Sequence, residues 1–392
     1  MPLNLLQMHS QTGSFAAEAK GLTERLELLK QRLLAQVAAW DEETGALRDL
    51  VDQKALQDAS LRSAFPLDER LTTHRTAPAA AKPARTLLAT DGSQIEPDRH
   101  DPIPFGVINV GVFSLHADGM PAPRENVSTR LLGWGEVFTP EGLLRAELLG
   151  LMRDVAERRR LLELSVNEPE PVVALVDGSL ELFHEPRQES EYRRFLTEYL
   201  ETLDAYGRPG LILAGYVDKP RADLVVRMLR VAVERDGGGT EPAEPGPGLW
   251  PLISDGALFA DLLGAGERSA VFGIQSSSRK VYGGEKALHF FYLNVGRPGH
   301  AELARVEVPA WVARDPALLD SLQITLLEQC RLMAARPYPY ALHRAHEIAV
   351  VHREEKDELA RMIESAWLAQ GLPVQEPSYK QAAKDLEGRT RL

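Results

Sequence analysis

Two short segments of this 392-residue chain end an apolar run on an aspartate: Leu88-Ala-Thr-Asp-Gly-Ser93 and Ala174-Leu-Val-Asp-Gly-Ser179. An Asp at the carboxyl end of a buried strand faces the crevice where α/β sheets bind ligands. The glycine that follows permits a tight turn, and the serine can hydrogen-bond locally. Either copy alone also fits an ordinary strand-to-loop turn. Between them, Thr139-Pro-Glu141 reads as a helix start, with Thr as cap, Pro in the first turn and Glu favoured by the helix dipole. The helix runs to about Leu164, with an apolar stripe of Leu144, Leu148, Leu151 and Val155. Glu147 flanks that stripe, a costly place for a carboxylate unless a cation compensates it. An edge glutamate reaching water fits the same pattern, and Glu141 or Glu157 could take its place. Glu157 stands among Arg153 and Arg160, where a surface ion pair accounts for it.

A fourth element is Pro337-Tyr-Pro-Tyr340, which leads into a helix carrying His346. A neutral imidazole can ligate a metal, and a Tyr hydroxyl can orient water or phosphate. His346 also fits a hydrogen-bonded structural histidine, and His343 and His352 are nearby competitors. An acid on a first strand, one on a helix, one after a later strand and a ligand on a C-terminal helix resemble a ribonuclease-H-like site. Oxygen-rich ligands suit Mg²⁺ or Mn²⁺, and two such ions about 4 Å apart would activate water against a phosphodiester.

The elements that must position these groups alternate. Strands are predicted at Thr86–Thr90, Phe105–Leu115, Pro171–Val176, Gly210–Tyr216, His289–Val295 and Ala304–Val308. Helices are predicted over 15–57, 189–206, 221–234 and, as one long element, 341–370. This alternation indicates an α/β fold, with an antiparallel pair between Thr86 and Leu115 inside a mixed sheet. Leu22, Leu26, Leu29, Leu33, Val37 and Trp40 share one face of the first helix, which fits a coiled-coil dimer arm or a helix packed on its own domain. The segment 76–84 is a connector, and the Gly/Pro-rich segment 236–248 reads as a flexible surface loop. The expected organisation is an N-terminal helical region (1–84), a single domain over 85–370 and a tail (371–392).

Composition bounds the partners. The chain has 45 basic and 57 acidic side chains, net −12, which argues against broad nucleic-acid binding and requires any basic channel to be narrow or shared with a partner. The single cysteine, Cys330, excludes an intrachain disulfide and argues against a cysteine-built zinc site. No apolar run is long enough for a membrane span, and Met1–Ser14 lacks the pattern of a secretory signal, so a cytoplasmic address is expected.

The two aspartate segments, with Ala214-Gly-Tyr-Val-Asp-Lys-Pro220, Gly266–Phe272, Phe290–Asn294, Ala304–Trp311 and Tyr338–His346, resemble in order the motifs of NurA nucleases. The resemblance covers roughly Thr86 to Val351. It implies a ribonuclease-H-like nuclease domain and a homodimer working with a hexameric HerA-type translocase ATPase in DNA-end resection. It also implies Mn²⁺-preferring cleavage of single-stranded DNA and 5′-to-3′ degradation of ends. Carried over by position, Asp91 and Asp177 resemble metal ligands, His346 a further one and Tyr338 a catalytic-site tyrosine. Glu147 is the helix acid on this reading, and Lys219 is a candidate phosphate contact that fits a plain surface lysine equally well. The competing reading is a catalytically weak adaptor that loads an ATPase ring onto DNA, towards which the acidic balance leans. The absence of a P-loop motif argues that the chain is not itself the motor.

Overall fold

The computed structural model describes residues 5–139, 142–182, 190–235, 250–333 and 336–374. In chain order the elements are α1 (Leu5–Ala39), α2 (Thr44–Gln57), β1 (Ser63–Pro66), β2 (Thr86–Ile95), β3 (Val107–His116) and β4 (Arg124–Leu131). There follow α3 (Trp134–Val137), β5 (Phe138–Thr139), β6 (Gly142–Leu143), α4 (Ala146–Ser165), β7 (Val172–Asp177), α5 (Ser190–Tyr206), β8 (Leu211–Asp218) and α6 (Leu224–Arg235). The remainder comprises α7 (Asp255–Phe259), β9 (Phe272–Gln275), β10 (Leu288–Asn294), β11 (Leu303–Pro309), α8 (Ala310–Ala313), α9 (Pro316–Leu332), α10 (Tyr340–Ala349) and α11 (Arg353–Ala369). Among the described residues no helix is long and apolar enough to cross a membrane.

The contacts divide the chain into two interleaved units: Met1–Ala81 with Tyr216–Leu327, and Lys82–Gly215 with Glu328–Leu392. The chain crosses between units after Ala81, within the 76–84 connector, and again inside β8 and inside α9, two continuous elements that leave no linker signature.

The second unit holds the two aspartate motifs. Its strands run in the order β4-β3-β2-β7-β8. Strands β2 and β3 pair antiparallel from Thr86↔His116 to Ile95↔Val107, and β4 adds antiparallel to β3. Strand β7 returns parallel to β2, from Thr86↔Val172 to Thr90↔Val176, after the α4 crossover. This is the mixed α/β, ribonuclease-H-like arrangement expected, with the antiparallel pair where it was predicted. Strand β7 is buried throughout Val172–Val176, as its β-branched run requires of a strand covered on both faces.

Several boundaries differ from expectation, each for a local reason. Strand β2 does not stop at Asp91 but continues to Ile95, because β3 supplies backbone partners along its whole length. The helix after it starts at Ala146 rather than at Thr139, which instead pairs with Gly142 in the β5–β6 hairpin; Pro140 and Glu141 lie outside the described residues. The long helix expected over 341–370 is two helices, with His352 and Glu355 forming a new capping box for α11. Likewise α1 and α2 are separate, and the α1 stripe is buried only from Leu33 through Val37 to Trp40. The loop expected at 236–248 lies outside the described residues.

The first unit is an antiparallel set, β1-β9-β10-β11. Its core stacks Phe259 on Tyr292 (4.8 Å between centroids) and Phe272 on Phe290 (5.7 Å). Beside these rings the buried Asp255 carboxylate accepts the Val225 and Val226 N–H groups, both at 2.9 Å, and the Tyr292 hydroxyl at 2.8 Å. It thereby satisfies orphan donors at the start of α6. Burial pushes its pKa up to about 6, against the pull of the hydrogen bonds from Val225, Val226 and Tyr292. A carboxyl whose folded-state pKa is raised contributes stability that is present below its unfolded value and lost as pH rises through the folded one. We therefore expect the stability of wild type minus that of Asp255→Asn to fall between pH about 4 and about 7, by on the order of 2–3 kcal/mol. Urea denaturation of both proteins across that range measures this; parallel curves would contradict the assignment.

Candidate active site

The site begins where β7 ends. Pairing with β2 stops at Thr90↔Val176, and Asp177 is the last residue of β7. Continuing that parallel register by one residue sets Asp177 level with Asp91 on the neighbouring strand, on the same side of the sheet. Asp177 is half-buried. Beyond this point β2 keeps only its β3 partner, so the backbone on its β7 side needs another. Asp91 supplies one itself: its Oδ1 accepts the Gly92 N–H at 2.8 Å. Its Oδ2 accepts from His346 Nδ1 at 2.7 Å.

His346 arrives on α10, and two features fix that helix. Ser93 and Asn109, register partners on β2 and β3, both donate to the Ala349 carbonyl, Asn109 at 2.8 Å. These bonds occupy a carbonyl at the helix end that would otherwise be orphaned. Gly111, the partner of Asp91, allows the helix to lie directly on the sheet: a Cβ there would meet Ala345 O at 2.8 Å and Ala349 N at 2.9 Å. The His346 side chain remains 59% exposed, and that of Asp91 is 18% exposed.

On the opposite face of β2 lies α4. A Cβ on Gly92 would stand 2.4 Å from Glu157 Oε1 and 2.9 Å from Arg153 Cγ. Successive strand residues face opposite ways, so Asp91 and Gly111 address α10 while Gly92 addresses α4. Glu157 is 3% exposed and forms ion pairs with Arg153 at 3.2 Å and Arg158 at 3.3 Å. Burial pushes its pKa up to about 8; Arg158 and Arg153 pull it down, while the Asp154 and Asp91 carboxylates push it up. Arg158 is buried too, and it donates to the Ser179 carbonyl at 2.9 Å, tying α4 to the turn after Asp177. The Tyr206 hydroxyl donates to the Arg158 carbonyl at 2.7 Å, and Tyr199 donates to the Leu180 carbonyl. Gly178 has φ +95, and a Cβ on Gly215 would meet the Gly178 carbonyl at 2.6 Å.

The other candidate residues are placed as follows. Glu147 is exposed in the first turn of α4, whereas Glu157 packs against Gly92, the residue after Asp91. The surface ion pair read for Glu157 is in fact a buried one. The positions one and two turns beyond it on the same face are Leu161 and the polar Ser165, both buried, so residue types gave little signal that this face points inward. Tyr338 is half-buried in the segment that leads into α10. His343 lies 3.6 Å from Glu347, and His352 is the N-cap of α11. Lys219 is exposed, with φ 44, and belongs to the other unit. Sequence reasoning named Arg153 beside Glu157 but missed Arg158 and Asn109, and gave Gly92 a turn that only Gly178 makes.

Among the described residues, no group of three or more His, Cys, Asp or Glu side chains stands ready to hold a metal ion. The donor types nevertheless suit a hard divalent cation, since oxygen ligands dominate and one imidazole is to hand. Burial is the main cause of the raised Glu157 pKa, and the smaller push from the Asp154 and Asp91 carboxylates is of the kind a cation relieves.

A family model described as the NurA domain matches residues 85–351. The chain belongs to the NurA family. Solved structures similar to it include the NurA nuclease from Sulfolobus solfataricus, at 12% identity and a TM-score of 0.47, covering 87% of this chain and 95% of that one. The catalytic domain of human Endonuclease V aligns at 14% identity and a TM-score of 0.31, covering 86% and 98%. Ciona intestinalis Endonuclease V, in complex with DNA, aligns at 14% and 0.33, covering 83% and 99%. No curated protein matches the chain. The NurA match takes in both aspartates, α4 and His346, and leaves out α1, α2 and α11.

Two glycine substitutions test the geometry. Gly111→Ala puts a methyl against helix backbone, which cannot swing aside, so α10 must lift; the expected cost is about 1–3 kcal/mol. Gly92→Ala should cost about as much, because the Glu157 and Arg153 atoms it meets are held by buried pairing. Unfolding free energies measure both. Two variants as stable as wild type would show that the helices do not rest on these positions.

Proposed function

We propose that this NurA-family chain is a divalent-metal-dependent DNA nuclease, cleaving single-stranded DNA and degrading ends 5′ to 3′. The observation that carries this reading is the hydrogen bond of Asp91 to His346, with Glu157 packed under the adjacent Gly92 and Asp177 level on β7. Asp91, Asp177 and Glu157 would hold Mn²⁺ or Mg²⁺, with His346 as a further ligand. Bound there, such ions supply a water nucleophile and stabilise the leaving oxygen of a phosphodiester. The chain's own contribution is placement. Asp91 is oriented by the Gly92 N–H and the imidazole, Glu157 is held between two guanidinium groups, and Asp177 is presented by the Gly178 turn. His346, exposed and hydrogen-bonded through Nδ1 to Asp91, would offer its Nε2 as the further ligand, and Tyr338 is a candidate for orienting the scissile phosphate.

A homodimer working with a hexameric HerA-type ATPase in DNA-end resection is the assembly we propose for this activity. The net charge of −12 supports a partner that supplies basic surface. Lys219 is retained as a candidate phosphate contact.

Purified protein should cleave single-stranded DNA with Mn²⁺ and be inert in EDTA. Asp91→Asn and Glu157→Gln should each lose at least about a hundredfold in rate, whereas Glu147→Gln should stay close to wild type. Wild type should gain about 2.7 kcal/mol of stability with Mn²⁺ at a hundredfold its dissociation constant, and Asp91→Asn much less. Undiminished cleavage in EDTA, or an active Glu157→Gln, would end this reading.

A further inference from the structure

Next to the carboxylates the second unit has an open groove of about 760 Å³. It is bounded by the far end of β2 from Ser93 onward, by Leu143 of β6, and by the first turn of α11. Three cations line it: Arg99, Arg353 and Lys356. Arginines elsewhere in this acidic chain are commonly tied to carboxylates, such as Arg153, Arg158 and Arg344. Among the described residues no carboxylate pairs with any of the three in the groove. The acids that share the groove are engaged: Asp98 accepts the His100 N–H at 2.8 Å and Glu96 the Gln94 amide at 3.3 Å. Unpaired cations beside a candidate phosphodiesterase site suit phosphate groups.

The groove leads to an aromatic face. Leu143 pairs with Phe138 across the β5–β6 hairpin. Phe138 packs on Trp134 at 4.2 Å between centroids, and Trp134 on Trp367 at 5.4 Å. Trp134 is 55% exposed and Phe138 36%. Trp367 lies on α11 itself, about 16 Å along the helix axis from Lys356, and its indole N–H donates to the Pro373 carbonyl at 3.2 Å. One helix thus carries two of the three cations at its start and an aromatic near its end.

We infer that this groove and the aromatic face form a track for single-stranded DNA leading away from the carboxylates, with Arg99, Arg353 and Lys356 holding phosphates and Trp134 and Phe138 stacking bases. Phosphate-binding cations joined to exposed aromatic planes are the pairing by which proteins bind single strands without reading sequence. A duplex presents no free base faces to such a platform. The choice of polymer rests on the nuclease reading above, but the binding can be measured apart from cleavage.

The test uses the full chain carrying Asp91→Asn, in EDTA, titrated into fluorescein-labelled oligothymidine and read by anisotropy at several salt concentrations. Arg353→Ala with Lys356→Ala should flatten the slope of log affinity against log salt by about 1.4, two phosphate contacts at about 0.7 each. Trp134→Ala should weaken binding roughly five- to a hundredfold without changing that slope, and Trp134→Phe should largely restore it. Melting temperatures establish that each variant is folded, and the exposed Arg353 and half-buried Lys356 keep the test decisive if Trp134→Ala is not. Parent-like affinity and slope in all variants, or no binding by the parent, would overturn the track. So would loss of self-association in Trp134→Ala with oligonucleotide affinity intact, which would assign the aromatic face to a second copy. Oligonucleotide binding that responds to the variants, without Mn²⁺-dependent cleavage by wild type, would end the nuclease reading and leave the track standing.

Discussion

Strand β2 outruns its parallel neighbour, and the candidate site is built on that mismatch. Up to Thr90 its backbone is paired on both sides; from Asp91 onward the β7 side is vacated. A backbone N–H in a protein interior must find a partner, and the Asp91 carboxylate meets the Gly92 N–H at 2.8 Å. The same carboxylate is thereby held at the rim of the vacated edge, where a ligand can reach it. Asp177 ends β7 at the level where the gap opens. Asp91 and Asp177 come level because two strands of unequal length share a register.

The helices are subordinate to the same strand pair. Glycine at 92 and at 111 removes a methyl from each face of β2–β3, and a helix occupies each clearing. On one face the Ala349 carbonyl, gripped by Ser93 and Asn109, fixes the rotation of α10 and so the aim of His346. On the other face Glu157 is buried among charges, and removing either arginine beside it would leave a buried carboxylate under-compensated, the costly kind of change. Arg158 acts in two places at once, pairing with Glu157 and holding the Ser179 carbonyl. The helix acid and the turn that presents Asp177 are therefore one mechanical unit, and a substitution in α4 would be felt at both carboxylates.

The two Asp-Gly-Ser segments illustrate why identical residues need not do identical things. At 177–179 the glycine adopts φ +95 and makes the turn that its type suggests. At 91–93 it lies within an extended strand, and what matters is the side chain it lacks. Ser179 accepts the Glu181 N–H within its loop, whereas Ser93 reaches a helix carbonyl 256 residues away in sequence. Local propensity fits both uses, so only the neighbours distinguish them.

The sequence by itself determined what is local and periodic. Alternating apolar runs and amphipathic stretches were enough for the α/β class and the antiparallel β2–β3 pair, because strand and helix periods follow from backbone geometry. Motif order was enough for the NurA resemblance. It also marked Asp91, Asp177 and His346 as candidates, since residue types that can hold a cation are visible without a fold. The tertiary structure decided the rest, because each remaining question concerned distance between segments far apart in the chain. That Glu157 packs against β2 while Glu147 is exposed depends on how closely α4 lies on the sheet, which the missing Cβ at Gly92 allows. The break that makes α10 and α11 two helices depends on a cap at His352 and on Ala349 docking against β2 and β3. The crossing of the chain between units inside β8 and α9 leaves no mark in composition, since a continuous strand or helix has the same periodicity whichever core it serves.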